Sequence, residues 1–355
     1  MKIAVIALLK PSQVKYKITP LLRSGAAEAV ILFRKNKYQS SDPKLIQYVL
    51  PGFMSYKPFY WTLTPFYIAY KLRKHDIDLL LTYRFIPHTY YTWVVSRLLK
   101  KPFIYSQIDE DVVTLHQNLV GKLFVEYIMS SALQINTPGM RSLNYWRKVF
   151  PSKKINVLHS TIDTNVFHPV ACEQRYDLMY VGVLTELKRV GLMIEMFWHL
   201  TQKAGRDYKF AIVGYGPLEN TLKNLVIQLG LEQNVSFLGK QIVDNQLLCK
   251  SRIFTMASRS EGLPCALLEA MACERLCIST NVGNISDAIT HGETGFFYAS
   301  LSPQDMANQV SELLDKYDEL ESVRQSARAH IILNHSYVSA TKKWDALLGE
   351  LDSTQ

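Results

Sequence analysis

The hydrophobic positions of the chain fall into short runs separated by stretches of helical period. Runs rich in β-branched and aromatic residues, such as KIAVIAL (2–8) and KFAIVG (209–214), have the length of buried strands. Between them, apolar residues recur three and four positions apart, which is typical of helices with one buried face. Strands and helices therefore alternate along the chain, the pattern of parallel sheets wrapped by helices.

Two sheets in series are predicted. Strands are expected near residues 2–8, 29–33, 79–83, 102–107, 133–137 and 155–160, and again near 177–183, 209–214, 234–239, 253–258 and 276–280. The polar segment 161–176 loses periodicity, as linkers do. The predicted fold is α/β, with two Rossmann-like domains, 1–165 and 166–335, facing across a cleft at their strand ends. A last amphipathic helix, 336–355, is predicted to return to the first domain.

The charge of the chain is uneven. Residues 1–170 hold 23 Lys and Arg against 9 Asp and Glu, whereas residues 171–355 hold 17 against 22. Basic and aromatic residues alternate in YKPFYWTLTPFYIAYKLRK (56–74), which favours an anionic membrane surface over nucleic acid as a partner. A basic surface that serves only solubility is the alternative. The uncharged windows 45–56 and 58–70 are shorter than the ~20 residues that span a bilayer, so we predict peripheral association.

The cysteines predict neither disulfides nor a zinc site. They are odd in number, five, and form no C-x2-C pair, so a reducing compartment, the cytoplasm, is expected. The apolar start MKIAVIALL is followed by KPSQVKYK without a small-residue cleavage site. We therefore predict a buried strand there and not a signal peptide.

The segment SRSEGLPCALLEAMAC (258–273) carries the first candidate chemistry. Pro264 suits the first turn of a helix. The buried stripe of this helix is predicted at Leu267, Leu268, Met271 and Ala272. The helix N-terminus favours phosphate, and Glu261 and Glu269 are suited to accept hydrogen bonds from hydroxyl groups, so together they suggest a nucleotide sugar. The spacing equally allows Glu261 to be a helix-entry charge and Glu269 an exposed helix residue.

Two further loops follow predicted strands of the second half. YVGVLTELKR (180–189) contains Lys188, which is placed to neutralise a diphosphate, although a solvated loop lysine has the same sequence pattern. IVGYGPLENTL (212–222) has Gly214 and Gly216 but Glu219 in place of the last glycine of a dinucleotide signature. The loop is therefore only a partial match to that signature.

These three segments, together with VLHSTIDTNVFHP (157–169), resemble the retaining glycosyltransferases of the group 1 (family four) type, which have the GT-B fold. The resemblance is specific over residues 157–300 and loose before them. It implies a hexosyltransferase that moves sugar from a nucleoside-diphosphate sugar to a glycan or lipid-linked acceptor, with retention, in bacterial envelope polysaccharides such as lipopolysaccharide. It further implies a metal-independent enzyme without cofactor, associated peripherally with the cytoplasmic face of the inner membrane.

The resemblance also implies roles for individual residues. Glu261, on the donor sugar, and Lys188, on the diphosphate, would be catalytic, and Glu269 would hold the ribose. The implied donor-binding residues are Gly182, Val183, Arg189, Gly214, Gly216, Lys240, Gln241, Gly262, Leu263, Pro264, Cys265, Ala266 and Glu269. Weaker candidates for the acceptor side are Lys10, Lys15, His88 and Asp109.

The sequence departs from the family pattern in three places. Val183 stands where an arginine is usual, which leaves Arg189 or Arg259 to supply that charge. The segment 8–17 replaces a frequent Gly-Gly pair, and Ile108 stands where a histidine is common. Two alternatives therefore stay open, a non-catalytic nucleotide-sugar binder and a GT-B sugar-nucleotide epimerase. A metal-binding D-x-D motif within IDED (108–111) is disfavoured by the two-sheet pattern.

Overall fold

The chain divides into two compact units. The computed structural model describes residues 1–7, 9, 11–34, 36–55, 57–108, 111–203 and 206–353. The first unit comprises Met1–Thr161 and Tyr337–Gln355, and the second comprises Ile162–Ser336. The chain therefore passes between the units twice.

The first unit is built on a seven-stranded sheet. Its strands are β1 (Lys2–Ile6), β2 (Ala29–Arg34), β3 (Leu45–Val49), β4 (Leu79–Tyr83), β5 (Phe103–Ser106), β6 (Gln134–Thr137) and β7 (Ile155–Val157). Their order is β3-β2-β1-β4-β5-β6-β7, and every pairing is parallel. The central strands are buried on both faces, which explains their nearly continuous apolar sequences.

Helices cover both faces of this sheet. They are α1 (Pro11–Arg23), α2 (Lys57–Thr62), α3 (Thr64–Leu72), α4 (Tyr90–Leu99), α5 (Asp111–His116), α6 (Leu119–Ser130) and α7 (Met140–Val149), with a 3-10 turn at Gly52–Ser55 and a π-helical turn at Phe85–Thr89. The apolar side of α1 packs on one face, and those of α3, α4, α6 and α7 pack on the other.

The second unit has a six-stranded parallel sheet. Its strands are β8 (Tyr176–Val181), β9 (Phe210–Val213), β10 (Val235–Gly239), β11 (Ser251–Met256), β12 (Leu276–Ser279) and β13 (Phe296–Phe297), in the order β10-β9-β8-β11-β12-β13. Its helices are α8 (Val190–Thr201), α9 (Glu219–Gln228), α10 (Asn245–Leu248), α11 (Cys265–Ala272), α12 (Pro303–Asp315) and α13 (Glu321–His335), with 3-10 turns at Glu186–Lys188 and Ile285–Asp287. Helices α8, α9 and α12 cover one face, and α10, α11 and α13 cover the other.

The last helix, α14 (Tyr337–Asp352), returns to the first unit, as predicted. Its Trp344 and Leu348 are buried in the same core as α1. Asp345 accepts hydrogen bonds from Ser24 Oγ (2.6 Å) and Gly25 N (2.9 Å), which fix the helix at the end of α1. The predicted architecture of two Rossmann-like α/β domains with a returning C-terminal helix is therefore confirmed.

Two strands were not predicted, and the predicted linker differs from the structure. β3 is an edge strand whose residues are half-buried or exposed, and β13 has two residues, so neither has a long apolar run. Segment 161–176 is polar in sequence, yet its Ile162 and Phe167 are buried in the core of the second unit. The first part of the segment is therefore packed on the second unit, whereas residues 171 and 173–175 are exposed.

The prediction for the cysteines is wrong for one pair. Cys172 and Cys249 form a disulfide across 77 residues of sequence. They meet because the segment before β8 runs beside the end of α10, where Arg175 N donates to Lys250 O (2.9 Å). Such a long-range pairing has no signature in the spacing of five cysteines, and the cysteine pattern gives no support to a reducing compartment.

No helix in the described ranges has both the length and the apolar character that crossing a bilayer requires.

Candidate functional site

The predicted donor-binding residues lie at one edge of the second sheet. Because all its strands are parallel, their carboxyl ends share this edge. Residues 182–189 follow β8, residues 214–216 follow β9, residues 240–241 follow β10, and residues 261–269 follow β11. These four strands are neighbours in the sheet, so the fold brings together segments that are far apart in sequence.

Main-chain hydrogen bonds join the loops along this edge. They run from Gly214 N to Gly239 O (2.8 Å), from Leu184 N to Tyr215 O (3.0 Å) and from Arg259 N to Leu187 O (2.8 Å). The first two connect the loops after β10, β9 and β8, and the third connects the loop after β8 with the loop after β11. The loops therefore form one continuous main-chain frame.

Lys188 and Glu261 form an ion pair across this frame. Lys188 ends the 3-10 turn after β8, and its Nζ contacts Glu261 Oε1 in the loop after β11. Their side chains are 20% and 9% exposed, so the carboxylate is largely removed from water. A partly buried carboxylate depends on its cationic partner, and a bound phosphate would compete for the same ammonium group. Glu261 therefore has a specific cationic partner in addition to its place before the start of α11.

Tyr180, which the sequence did not indicate as a site residue, lies near Glu261 at the carboxyl end of β8. Its hydroxyl donates to Val183 O (3.1 Å) and holds the turn at Gly182. Burial raises the pKa of the Tyr180 hydroxyl, and the negative charge of Glu261 raises that pKa further. Tyr180 therefore remains a neutral hydrogen-bond donor beside Glu261.

Gly283 holds the loop of Glu261 from the other side. It follows β12 with a φ of +59°, and a Cβ at this position would lie 1.7 Å from Glu261 O. The adjacent Asn284 N donates to Gly262 O (2.9 Å). Only glycine permits this backbone conformation together with so close an approach.

We expect Gly283→Ala to lower turnover at least ~10-fold, because the added methyl group must displace the Glu261 loop. Gly230→Ala is the matched control, since Gly230 has a φ of +66° and nothing within 4 Å of its Cβ position. Both variants should lose about 1–2 kcal/mol of stability from the left-handed backbone. Steady-state kinetics and thermal unfolding separate the effects. Equal turnover in the two variants would show that the close approach at Glu261 is unimportant.

Helix α11 begins directly beside Glu261. Pro264 is its N-cap residue and supplies no side-chain cap, so the positive end of the helix dipole lies behind Gly262 and Leu263. Cys265 and Ala266, in its first turn, are half-buried. The four residues predicted to form its buried stripe are buried, but Glu269 and Ala270 are buried too, so burial is not confined to one stripe.

Glu269 is buried, with 5% of its surface exposed. The interpretation of Glu269 as an exposed helix residue is therefore wrong. The reason is that α11 lies between the sheet and α13, so that its face at Glu269 is also covered. Burial raises the pKa of the Cys273 thiol to about 12, and the charge of Glu269 contributes to that shift. A carboxylate is costly to bury unless polar groups surround it, which favours a specific role.

The remaining donor-side candidates lie around the same edge. Val183 is 40% exposed. Lys240 lies with its Nζ 5.6 Å from the centre of the exposed Tyr215 ring, and Gln241 Nε2 donates to Leu238 O (2.7 Å). Arg189 and Arg259, the candidates for the missing charge at Val183, both line a cavity of about 480 Å³ whose other walls are mostly leucines.

The acceptor-side candidates belong to the first unit. His88 follows β4 and is buried, with its Nδ1 donating to Tyr83 O (3.2 Å). Lys15 lies on α1, and its carbonyl accepts a hydrogen bond from Tyr337 (3.1 Å). Lys10 and Asp109 lie outside the described residues. Within the part of the chain that is described, no three His, Cys, Asp or Glu side chains form a group suited to a metal ion.

Comparisons with known proteins agree with this arrangement. Residues 162–330 match the family model of glycosyl transferases group 1. The chain is 25% identical over 272 residues to N-acetyl-alpha-D-glucosaminyl L-malate synthase of Bacillus anthracis, covering 73% of this chain and 71% of that protein. It is 31% identical to the amylovoran biosynthesis glycosyltransferase AmsK of Erwinia amylovora, over 48% of this chain and 44% of AmsK.

The fold also matches solved structures. Anabaena HepE, in complex with UDP, superposes with a TM-score of 0.81 at 14% identity, over 99% of this chain and all of HepE. At this identity the match concerns the fold. Residues 162–330, nearly all of the second unit, therefore belong to the group 1 glycosyl transferases, and the chain has the GT-B fold.

Proposed function

We propose that the protein transfers a hexose from a nucleoside-diphosphate sugar to a hydroxyl group of a glycan or lipid-linked acceptor, with retention, in bacterial cell-envelope polysaccharide biosynthesis. The observation that carries this proposal is the ion pair of Lys188 and Glu261 beside the N-terminus of α11. It combines a cation and a helix end, which suit phosphate, with a carboxylate, which suits hydroxyl groups. The amylovoran relative supports the assignment to a polysaccharide pathway.

The residues of the site suit departure of the diphosphate. In the transfer step, the bond from the sugar carbon to the diphosphate oxygen breaks while the acceptor oxygen bonds to the same face of that carbon. The acceptor proton passes to the leaving phosphate, and no protein nucleophile is required. Lys188 and the α11 N-terminus stabilise the charge that develops on the diphosphate, and Glu261 holds the sugar by its hydroxyl groups. We propose that they do so without a metal ion or cofactor.

We also propose that the enzyme works at the cytoplasmic face of the inner membrane without crossing it. The support is the excess of Lys and Arg in the first half, together with its aromatic residues. Such a surface is attracted to anionic lipids, and it would place the enzyme beside a lipid-linked acceptor.

The experiment that tests the function incubates the protein with several nucleoside-diphosphate sugars and extracts of envelope glycans and glycolipids. Since HepE binds UDP, uridine diphosphate sugars are tested first. Transfer with the anomeric configuration of the donor, determined by NMR of the product, is the expected result. Interconversion of nucleotide sugars would identify an epimerase, and binding without turnover of any donor would identify a non-catalytic binder.

Lys188→Ala should weaken nucleoside-diphosphate binding ~10-fold or more and lower turnover as well, since the ammonium group contacts both the donor and the leaving group. Val183→Arg in the same chain should restore part of the binding, because it returns a cation to the usual family position. Calorimetry with the bare nucleoside diphosphate and saturating kinetics measure the two effects. Unchanged binding and rate in Lys188→Ala would remove Lys188 from the site.

A further inference from the structure

Helix α6 exposes a row of apolar side chains to solvent. The helix is well formed, with the Asn118 side chain accepting from Gly121 N (2.8 Å) at its N-terminus. Its inner face, which includes Val125 and Ile128, is buried against the sheet. On its outer face, Leu119 is 74% exposed, Val120 78%, Leu123 62% and Tyr127 62%. A helix that is apolar on both faces is normally covered on both faces.

Aromatic contacts extend this face across two further helices. The Trp93 ring of α4 lies 5.8 Å from Tyr127 of α6, and Tyr90 stacks on Trp93 at 6.5 Å. The Trp61 ring of α2 lies 6.1 Å from Tyr90. We call the continuous surface formed by Trp61, Tyr90, Trp93, Leu119, Val120, Leu123 and Tyr127 the apolar belt. It joins three helices of the first unit, so it is larger than the scattered apolar residues of an ordinary surface.

Basic residues outnumber acidic residues in the segments around the apolar belt. Residues 43–108, which supply α2, α3 and α4, contain nine Lys and Arg against two acidic residues, Asp76 and Asp78. Arg97 is exposed one turn beyond Trp93, and Lys71 lies over the rings of Tyr67 and Tyr70 (5.4 and 5.7 Å). Glu126 of α6 is paired with Lys122 and His116 (4.0 and 3.1 Å). The apolar belt is therefore flanked by cations.

We propose that the apolar belt is the membrane-docking surface, with α6 lying in the interface of a bilayer that contains anionic lipids. Leucine and valine side chains suit the acyl boundary, Trp and Tyr suit the headgroup level, and the flanking cations suit anionic headgroups. A second copy of this chain fits less well, because the cationic flanks of the two copies would face each other. The inference deepens the membrane location proposed above, and it does not depend on the transfer reaction.

The sequence places the basic and aromatic signal at residues 56–74, whereas α6 holds the most exposed large apolar side chains among the described residues of the first half. Membrane binding through the charges of residues 56–74 and membrane binding through α6 differ in their expected response to salt. Adsorption by charge alone is abolished at high ionic strength, because screening shortens the reach of each cation. Insertion of α6 leaves a salt-resistant part of the binding. At high salt, the chain should therefore lose its preference for anionic over neutral lipid but still partition into both kinds of vesicle.

Flotation with vesicles tests the proposal. The full chain is mixed with vesicles of phosphatidylcholine alone or with phosphatidylglycerol, at low and high salt. The double variant Leu119→Ser, Leu123→Ser should lower the partition coefficient about 10- to 100-fold, because it removes two inserted apolar side chains. The matched control is Ile227→Ser, Leu333→Ser, which changes side chains of 60% and 72% exposure on α9 and α13 of the second unit. The control should partition like the wild-type chain.

Several outcomes would overturn the proposal. They are failure of the wild-type chain to float, equal losses in the two double variants, and a dimer in solution that the α6 variant dissociates while flotation is absent. Transfer to a water-soluble acceptor is measured in parallel. If the wild-type chain floats but transfers no sugar, the proposed function fails and the docking surface stands. If it transfers sugar but does not float, the reverse holds.

Discussion

Glu261→Ala should lower turnover at saturating donor by ~10² to 10³. This is the scale for removing one well-placed polar group from a catalytic site. The close backbone approach of Gly283 fixes the loop that carries Glu261, and the ion pair with Lys188 holds its carboxylate. The carboxylate is therefore positioned before the donor arrives. By its proposed contact with the transferred sugar, Glu261 aligns the reacting carbon with the acceptor oxygen, and small displacements there are costly. The effect should therefore fall on turnover.

The affinity of Glu261→Ala for the bare nucleoside diphosphate should stay within a few-fold of the wild-type value. That ligand has no sugar to lose contact with, and the substitution frees Lys188 from its ion pair. Any change should therefore be toward tighter binding. This distinguishes Glu261 from Lys188, whose removal should weaken the same ligand. If Glu261→Ala instead weakens nucleoside-diphosphate binding as much as Lys188→Ala, Glu261 acts only by positioning Lys188.

The sequence predicts the sheets well because parallel strands buried on both faces are continuous apolar runs. β1, β4 and β9 are of this kind. β3 is half-exposed at the sheet edge, where Gln47 forms hydrogen bonds with the main chain of Tyr38 (2.9 and 2.8 Å), so its pattern is mixed. Contacts between distant segments leave no pattern in the local sequence. The disulfide of Cys172 with Cys249 is one example.

The sequence predicts those residues of the candidate site that lie in loops directly after a strand. A loop after a parallel strand is a ligand-binding position whatever its residues, so Lys188 and Glu261 could be named separately. Their mutual contact depends on β8 and β11 being neighbours, which strand order in the sequence does not indicate. Tyr180 has the sequence signal of an ordinary buried strand residue. Gly283 had a weak signal, a glycine in the loop four residues after β12, but many turns share it.

Glu269→Ala should weaken the nucleoside diphosphate and the whole donor together. We propose that Glu269 contacts the ribose, where its carboxylate would supply a charged hydrogen bond of ~1.5 to 3 kcal/mol, which corresponds to about 10- to 150-fold in affinity. Turnover at saturating donor should change much less, because the ribose is bound alike before and during transfer. Glu269 is buried, so Ala also leaves a small cavity in α11. Glu269→Gln, which keeps the volume and one carbonyl acceptor, should show an intermediate loss with near wild-type thermal stability.

Deoxyribose ligands separate ribose contact from mere support of the helix. The wild-type chain should bind the 2′-deoxy or the 3′-deoxy nucleoside diphosphate more weakly than the ribose form, since one hydroxyl partner of Glu269 is missing. In Glu269→Ala that difference should disappear, because the group that distinguished the two ligands is gone. If the variant weakens ribose and deoxyribose ligands by the same factor, its effect comes from packing of α11 and Glu269 does not contact the ribose. If it leaves every ligand unchanged, the buried carboxylate has no part in donor binding.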